Sequence, residues 1–383
     1  MYKYPFSFPK ISGHLIRRIN RFVAEVQVDR QKHQAYLANP GRLWEILLPG
    51  TELLLSQGLT RGKLPYTILA GAKEKQYVLL HTHLTNKVVH SLIDNRQLNP
   101  FKDYRVIKEE PTFDNHRFDL LLQHLSSKEY FYLEIKSCTL FSGQIAMFPD
   151  AVTKRGAEHL YKLQELALSG IKAGCLFVVM NPETEYFMPS YHIDPHFAGA
   201  LLKVKDSVRI DAMAIGFDQN FEQVSSIKDL NIPYNFVKTE LLDRGSYMLI
   251  IKIESPKNLK VGSLGQVLFA PGYYIYVGSA MKTLSKRVSR HIRKGKQKRW
   301  HVDYLISESA GVTPVQIVSS EKLECQLAAS LERIADRTIK NFGSSDCHCQ
   351  SHLFYFLDNP LHSPLFIGII QHYRIGRLKD KLP

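Results

Sequence analysis

The chain has 383 residues, 44% of them apolar, which is enough for two or three domains with cores of their own. Its 50 Lys and Arg against 36 Asp and Glu leave a formal charge of +14, a bias that favours a polyanionic partner such as nucleic acid. Five cysteines argue against a disulfide framework, no apolar run approaches the ~20 residues that cross a bilayer, and the opening MYKYPFSFPK lacks a signal-peptide core, so a cytoplasmic protein without membrane association is expected.

From residue 14 to 83, short β-like runs (RFVAEVQV, ELLLSQ, YTILAGA, YVLLHTH) alternate with the turn signals NPGR, PGT and RGKLP, a spacing that suits a small β-barrel. Arg17, Arg18, Arg21, Arg42 and Lys63, with Tyr66, offer cations and a stacking surface for nucleic acid there. A helix is expected near Asn86–Asn95. RFDLLLQHLSSKEYFYLEIKSC, residues 117–138, then reads as a hairpin. Alternation along its second strand puts Tyr130, Tyr132, Glu134 and Lys136 on one face. A turn between Ser126 and Ser127 sets Asp119 opposite Glu134, with Cβ atoms roughly 5 Å apart. Two carboxylates on one face attract a divalent cation, Mg²⁺ or Mn²⁺, and the lysine beside them suits phosphodiester hydrolysis. A solvated ion pair between Glu134 and Lys136 explains the spacing equally well.

A helix beginning near Pro149 and the buried strand AGCLFVVM complete an α/β unit. Arg155 and His159, four apart, share a helix face that could approach a phosphate, and Asp150 is placed to cap that helix. Residues 216–244 lose periodicity and mark a boundary. Beyond it come the strands SYMLIIKIE and YYIYVGSA and a helix over about Leu284–Arg293, whose apolar stripe is Leu284, Val288 and Ile292. Arg287, Arg290, His291 and Arg293 lie off that stripe. Nine Lys or Arg and no acid fall between Lys282 and Arg299, and residues 240–383 carry 21 basic against 12 acidic side chains, or +9. The run reads as a nucleic-acid face or a solvated one. A second helix is expected over Glu324–Ile339, and LFIGII near the end fits either a strand or a short helix.

RFDLLL, YLEIKSCTL, IAMFPDAVTKRGAEHLYKL and LFVVM, with INRFVAEVQV, NPGRL, LLPGTELLLS and KLPYTI upstream, resemble the sugar fermentation stimulation protein A (SfsA) family over about residues 13–225. That resemblance implies an N-terminal OB-like β-barrel, then a PD-(D/E)xK nuclease-like α/β domain whose motif falls on Asp119, Glu134 and Lys136. It also implies DNA binding, since members are described as DNA-binding regulators. GSY (245–247), YVGSA (276–280) and KRVSRH (286–291) resemble the GIY-YIG nuclease superfamily, an uncharacterised branch of it over about residues 245–357. Tyr247, Tyr276 and Arg287 take that family's positions, with Glu324 as metal ligand; His291, His301 and Asp303 are candidates to complete an altered site. The segment between GSY and YVG is longer than is typical. A bland reading leaves the tyrosines as sheet residues and Glu324 in a helix's first turn.

Cys347, Cys349 and His352 suit Zn²⁺, with His348 or Asp346 as a fourth ligand, or are a cluster of reduced thiols at a helix end. The expected layout is an OB-like barrel (1–84), a PD-(D/E)xK-like domain (85–233), a GIY-YIG-like α/β domain (240–360) and a tail (361–383). Its expected function is binding of nucleic acid, DNA ahead of RNA, with Mg²⁺- or Mn²⁺-dependent cleavage. The rivals are a non-catalytic DNA-binding regulator and an interaction protein with no salt-sensitive nucleic-acid binding.

Overall fold

A computed structural model describes residues 9–57, 64–74, 76–114, 116–218 and 221–382. They form two compact units, one over residues 1–237 with the last three residues, the other over 238–380. The first unit opens with β1 (Lys10–Arg18), β2 (Val23–Val28), β3 (Gln31–Leu37), β4 (Glu52–Gln57), β5 (Tyr66–Lys73) and β6 (Gln76–Leu79). Their order is 3-2-1-4-5-6, and a parallel β3–β5 pairing closes the sheet into a barrel. Alternate residues such as Ala24, Val26 and Val28 point inward and are buried.

After the barrel come α1 (Thr82–Asp94), β7 (Tyr104–Glu109), the two-residue pair β8 (Thr112–Phe113) and β9 (His116–Arg117), then β10 (Leu120–His124) and β11 (Tyr130–Cys138). β12 (Leu140–Ser142) and β13 (Ile145–Phe148) lead to α2 (Lys154–Leu168), β14 (Lys172–Val179), β15 (Tyr186–Pro189), α3 (Pro195–Val204), β16 (Arg209–Phe217) and β17 (Val224–Asp229). The main sheet runs 17-16-14-11-10-7, parallel at its centre and antiparallel at both edges. β14, central and covered on both faces, is buried from Ala173 to Val179, as its continuous apolar run requires. One hydrophobic core is continuous from Leu15 in the barrel to Leu230 past the sheet.

Helix α2 begins later than the sequence suggests. Asp150 does not cap it; the cap is Thr153, whose hydroxyl accepts the Gly156 N–H at 3.0 Å. Asp150 instead accepts the Leu43 N–H at 3.1 Å and lies near Arg18 and Arg42, tying the FPDAVTKRG segment to the NPGRL loop of the barrel. Gly41 is needed there because a Cβ would stand 2.3 Å from an Asp150 oxygen.

A short helix, α4 (Tyr234–Glu240), leads into the second unit. Its elements are β18 (Gly245–Ile253), β19 (Lys257–Lys260), β20 (Gln266–Phe269), β21 (Gly272–Ala280), α5 (Leu284–Ile292), α6 (His301–Ser307), β22 (Gly311–Val318), α7 (Glu324–Glu332), β23 (Arg337–Thr338), β24 (Leu353–Phe356) and α8 (Pro364–Arg374). An antiparallel sheet, order 22-18-21-24-23, carries the helices. The long segment between GSY and YVG is accommodated as the β19–β20 hairpin, which leaves the β18–β21 pairing intact. Helix α7 stops at Glu332 instead of reaching Ile339, because Arg337 and Thr338 pair with β24. In the C-terminal tail, LFIGII lies in α8, capped by Ser363 and packed on α7 and β22. No described helix is long and apolar enough to cross a membrane.

Candidate metal centre and nucleic-acid cleft

The β10–β11 hairpin has the register expected for it: Leu120 pairs with Leu133, which sets Asp119 opposite Glu134. Asp119 Oδ2 accepts the Ile135 N–H and its Oδ1 accepts the Asn86 amide from α1, both at 2.7 Å. Glu134, almost fully buried, is gripped at Oε1 by the Lys136 ammonium and by His159 Nδ1 at 2.6 Å. Arg155 Nε donates to His159 Nε2 at 3.1 Å. An arginine Nε can only donate, so His159 carries its proton on Nδ1 and gives that hydrogen bond to Glu134. Glu134 Oε2 is buried with no hydrogen-bond partner.

Burial, then the charge of Glu134, pushes the Asp119 carboxyl up to about 6. Burial acts upward on Glu134 too, but Lys136 and His159 outweigh it and hold Glu134 below its ordinary value. The Lys136 ammonium is desolvated, yet the Glu134 carboxylate raises it above the usual lysine range. A carboxylate oxygen without a partner, beside a second carboxylate that resists ionisation, is a donor set that a hard divalent cation satisfies. The residues present therefore fit such an ion. They open onto a cleft of ≈ 430 Å³ whose rim includes Arg21, Arg117 and Arg155.

Of the barrel cations expected to meet nucleic acid, Arg21 lines this cleft. Arg17 is exposed and paired with Glu25 at 2.9 Å, Arg42 lies over the Trp44 ring, and Tyr66 packs edge-on against His33. Arg18 is corrected to a scaffold role. Its Nε and both terminal nitrogens donate to the carbonyls of Asn20, Gly41, Arg42, Arg21 and Asn39, which uses all five N–H groups. Lys63 lies outside the described residues. Arg117 and Asn86 join the site without a motif of their own; Arg117 ends β9, two positions before Asp119, and that spacing is its one signal in the sequence.

In the second unit, Tyr247 and Tyr276 are both buried, with ring centroids 6.4 Å apart. Gly278 pairs with Tyr247 across the strands, and a Cβ there would stand 2.4 Å from the Tyr247 hydroxyl, which accounts for the glycine of YVG. His291 was expected among the exposed cations of α5, but it is fully buried and Ile292 is partly exposed in its place. The reason is a polar chain. His291 Nε2 lies 3.0 Å from the Tyr247 hydroxyl and Nδ1 lies 3.2 Å from Asp303. A carboxylate accepts, so His291 donates from Nδ1 and Nε2 accepts the tyrosine proton. Despite burial, His291 and the Arg299 and Trp300 N–H groups hold Asp303 far below the usual carboxylate range. Burial lowers His291 in spite of Asp303 and raises Tyr247 and Tyr276.

Arg287 and Arg290 lie over the Trp300 ring, and Arg290 also pairs with Asp303 at 3.1 Å; Arg293 is exposed. His301 meets Phe342 edge-on. Glu324 begins α7 and is buried beside this group, with Oε2 accepting the Ser279 hydroxyl. Cys347 Sγ lies 3.4 Å from His352 Nε2, and the fourth member of their cluster is Cys325, where His348 or Asp346 was expected.

An OB-like barrel followed by an α/β domain bearing a D…E-x-K carboxylate pair defines an SfsA-type architecture. Residues 16–80 match the SfsA N-terminal OB domain, 83–221 the sugar fermentation stimulation protein RE domain, and 246–373 the domain of unknown function DUF123. A sugar fermentation stimulation protein homolog of Clostridium tetani is 37% identical over 212 residues, 55% of this chain and 91% of that one. One from Methanothermobacter thermautotrophicus is 32% identical over 198 residues, 51% of this chain and 82% of the relative. The solved structure of Pyrococcus furiosus SfsA in complex with Ca²⁺ aligns with a TM-score of 0.56 at 28% identity, covering 61% of this chain and 99% of that one. The chain belongs to the sugar fermentation stimulation protein family and carries a GIY-YIG-like DUF123 domain after the family's own two.

Proposed function

We propose that this chain binds nucleic acid, DNA ahead of RNA, along the cleft of the first unit and hydrolyses phosphodiester bonds there with Mg²⁺ or Mn²⁺. The observation that carries the reading is the unpartnered, buried Glu134 Oε2 beside Asp119. Asp119 and Glu134 would hold the ion, whose chemistry is to polarise a phosphate oxygen and activate a water. Lys136 balances charge next to the reacting phosphate, and Arg155, through His159, fixes the orientation of Glu134. Arg21, Arg117 and Arg155 supply phosphate contacts from the rim. The Ca²⁺ held by the Pyrococcus furiosus relative supports a divalent site in this fold.

Tyr247, Tyr276, Arg287 and Glu324 are proposed as a second centre, with Arg290 and Arg293 as flanking cations. It ranks below the first because both Glu324 oxygens have neighbours, Ser279 and Lys322 at Oε2 and His352 at Oε1. A non-catalytic DNA-binding regulator is the second reading of the whole chain. It is favoured by one observation: the Lys136 ammonium is spent on Glu134.

Cleavage of labelled single-stranded, duplex and branched DNA and RNA with Mg²⁺, Mn²⁺ or EDTA distinguishes these. Metal-dependent product that falls on the order of 10²-fold in Glu134→Ala and persists in Glu324→Ala supports the first centre. Salt-sensitive binding with no product from any substrate leaves the regulator.

A further inference from the structure

Four side chains that the proposed function does not use converge in the second unit. Cys325 is the second residue of α7, and Cys347, Cys349 and His352 lie on the segment between β23 and β24. One ligand atom from each lies within 4.8 Å of all the others. We infer that Cys325, Cys347, Cys349 and His352 form a structural Zn²⁺ site that also positions Glu324 through the His352 imidazole.

The ligand set has the composition of a closed site: three thiolates and one imidazole fill a tetrahedron whose S–S edges are about 3.8 Å for Zn–S bonds of about 2.3 Å. Small side-chain rotations bring the observed separations to that size. An ordinary packing role does not account for the thiols. Cys325 is exposed and Cys347 and Cys349 are half-buried, whereas the remaining two cysteines, Cys138 and Cys175, are inside the first unit's core. The ligands come from two segments far apart in sequence, so an ion here clips the start of α7 to the β23–β24 connection.

His352 gives the site its second consequence. The side chain is 1% exposed, with Nε2 on the Cys347 side and Nδ1 3.2 Å from Glu324 Oε1, outside hydrogen-bond alignment. An imidazole that binds zinc through Nε2 keeps its proton on Nδ1, where a carboxylate is the usual partner of a zinc-bound histidine. Ser279 already holds the other Glu324 oxygen, so the ion, His352 and Ser279 together fix one orientation of the carboxylate. The same segment is laid over Tyr276: the His352 carbonyl accepts the Val277 N–H at 2.9 Å, and a Cβ on Gly343 would stand 2.9 Å from the Tyr276 ring. Glu324 and Tyr276 are thus both positioned by the segment that carries these ligands.

The test uses the full chain purified without chelator, its metal content measured by mass spectrometry and its Co²⁺-substituted form by absorption. About one zinc per chain is expected, with thiolate-to-cobalt charge-transfer bands and a tetrahedral d–d envelope. Both are lost or dimmed in Cys325→Ser and retained in His348→Ala and Asp346→Ala. In competition with a chromophoric chelator, Glu324→Gln weakens zinc binding about 10-fold. Zinc-free protein that takes up no added Zn²⁺, a disulfide that removes two thiols from titration, or an unaltered cobalt spectrum in Cys325→Ser overturns the site. Unchanged zinc affinity in Glu324→Gln overturns the link to Glu324.

Discussion

Glu134 is the residue on which the first unit's chemistry turns, because its two oxygens have opposite environments. Oε1 takes Lys136 and His159, while Oε2 takes nothing. Removing His159 leaves Lys136 as its sole partner and frees the carboxylate to rotate. His159→Ala is expected to weaken divalent-ion binding about 10-fold with the fold retained, as isothermal titration with Mn²⁺ would show. Asp119 sets the pH dependence. Its carboxyl is raised to about 6 in the folded chain and lies near 3.9 when unfolded, so between those values the native state binds the extra proton. Without metal, stability therefore falls as pH rises from about 4 to about 6, by roughly 3 kcal/mol, and levels off above. Calorimetric melting across that range should show the fall in the wild type and its absence in Asp119→Asn. The melting-temperature gain from added Ca²⁺ should grow through the same window. Period-two alternation made the Asp119, Glu134 and Lys136 grouping legible in the sequence. His159 was legible only as a neighbour of Arg155, because its approach to Glu134 depends on how α2 packs over the sheet.

At the scale of elements, two junctions hold the site in place. Asp150 joins the barrel's NPGRL loop to the segment ahead of α2, and Gly41 makes room for it. Gly41→Ala would press a methyl group onto the carboxylate and should cost roughly 2 kcal/mol, read from denaturant unfolding. The cost should shrink when the change is made in an Asp150→Ala background, since the two residues are in contact. NPGR and FPDAVTKRG are separated by about a hundred positions, and nothing in either shows that they meet; this is why Asp150 reads as a helix cap in the sequence. Helix α7 shows the complementary limit. Its start at Glu324 was legible from the acidic first turn, but its end was not, since Ala335 and Ile339 continue a helical pattern that the pairing of Arg337 and Thr338 with β24 overrides. Cys325 is not legible as a ligand because it stands alone in the sequence, far from the C-x-C-x2-H stretch that it joins in space.

For the whole molecule, the excess of +14 had a clear meaning as a number and an incomplete one as a map. Some of those cations hold the scaffold, Arg18 in the barrel and Arg290 on Asp303, and only part of the rest lines the cleft. If four or five phosphates are neutralised, duplex DNA affinity should fall on the order of 10²-fold between 50 and 200 mM salt. Arg155→Ala and Arg117→Ala should each lower that slope by about one unit. The order of the three domains was legible because each carries its own motif, and the family relationship of the first two confirms their architecture. The measurement that most directly tests the central claim is titration of Mn²⁺ into the chain purified without chelator, followed by calorimetry. The account predicts a binding event that disappears in Glu134→Gln and survives in Glu324→Gln. An event of unchanged affinity and stoichiometry in Glu134→Gln would contradict it.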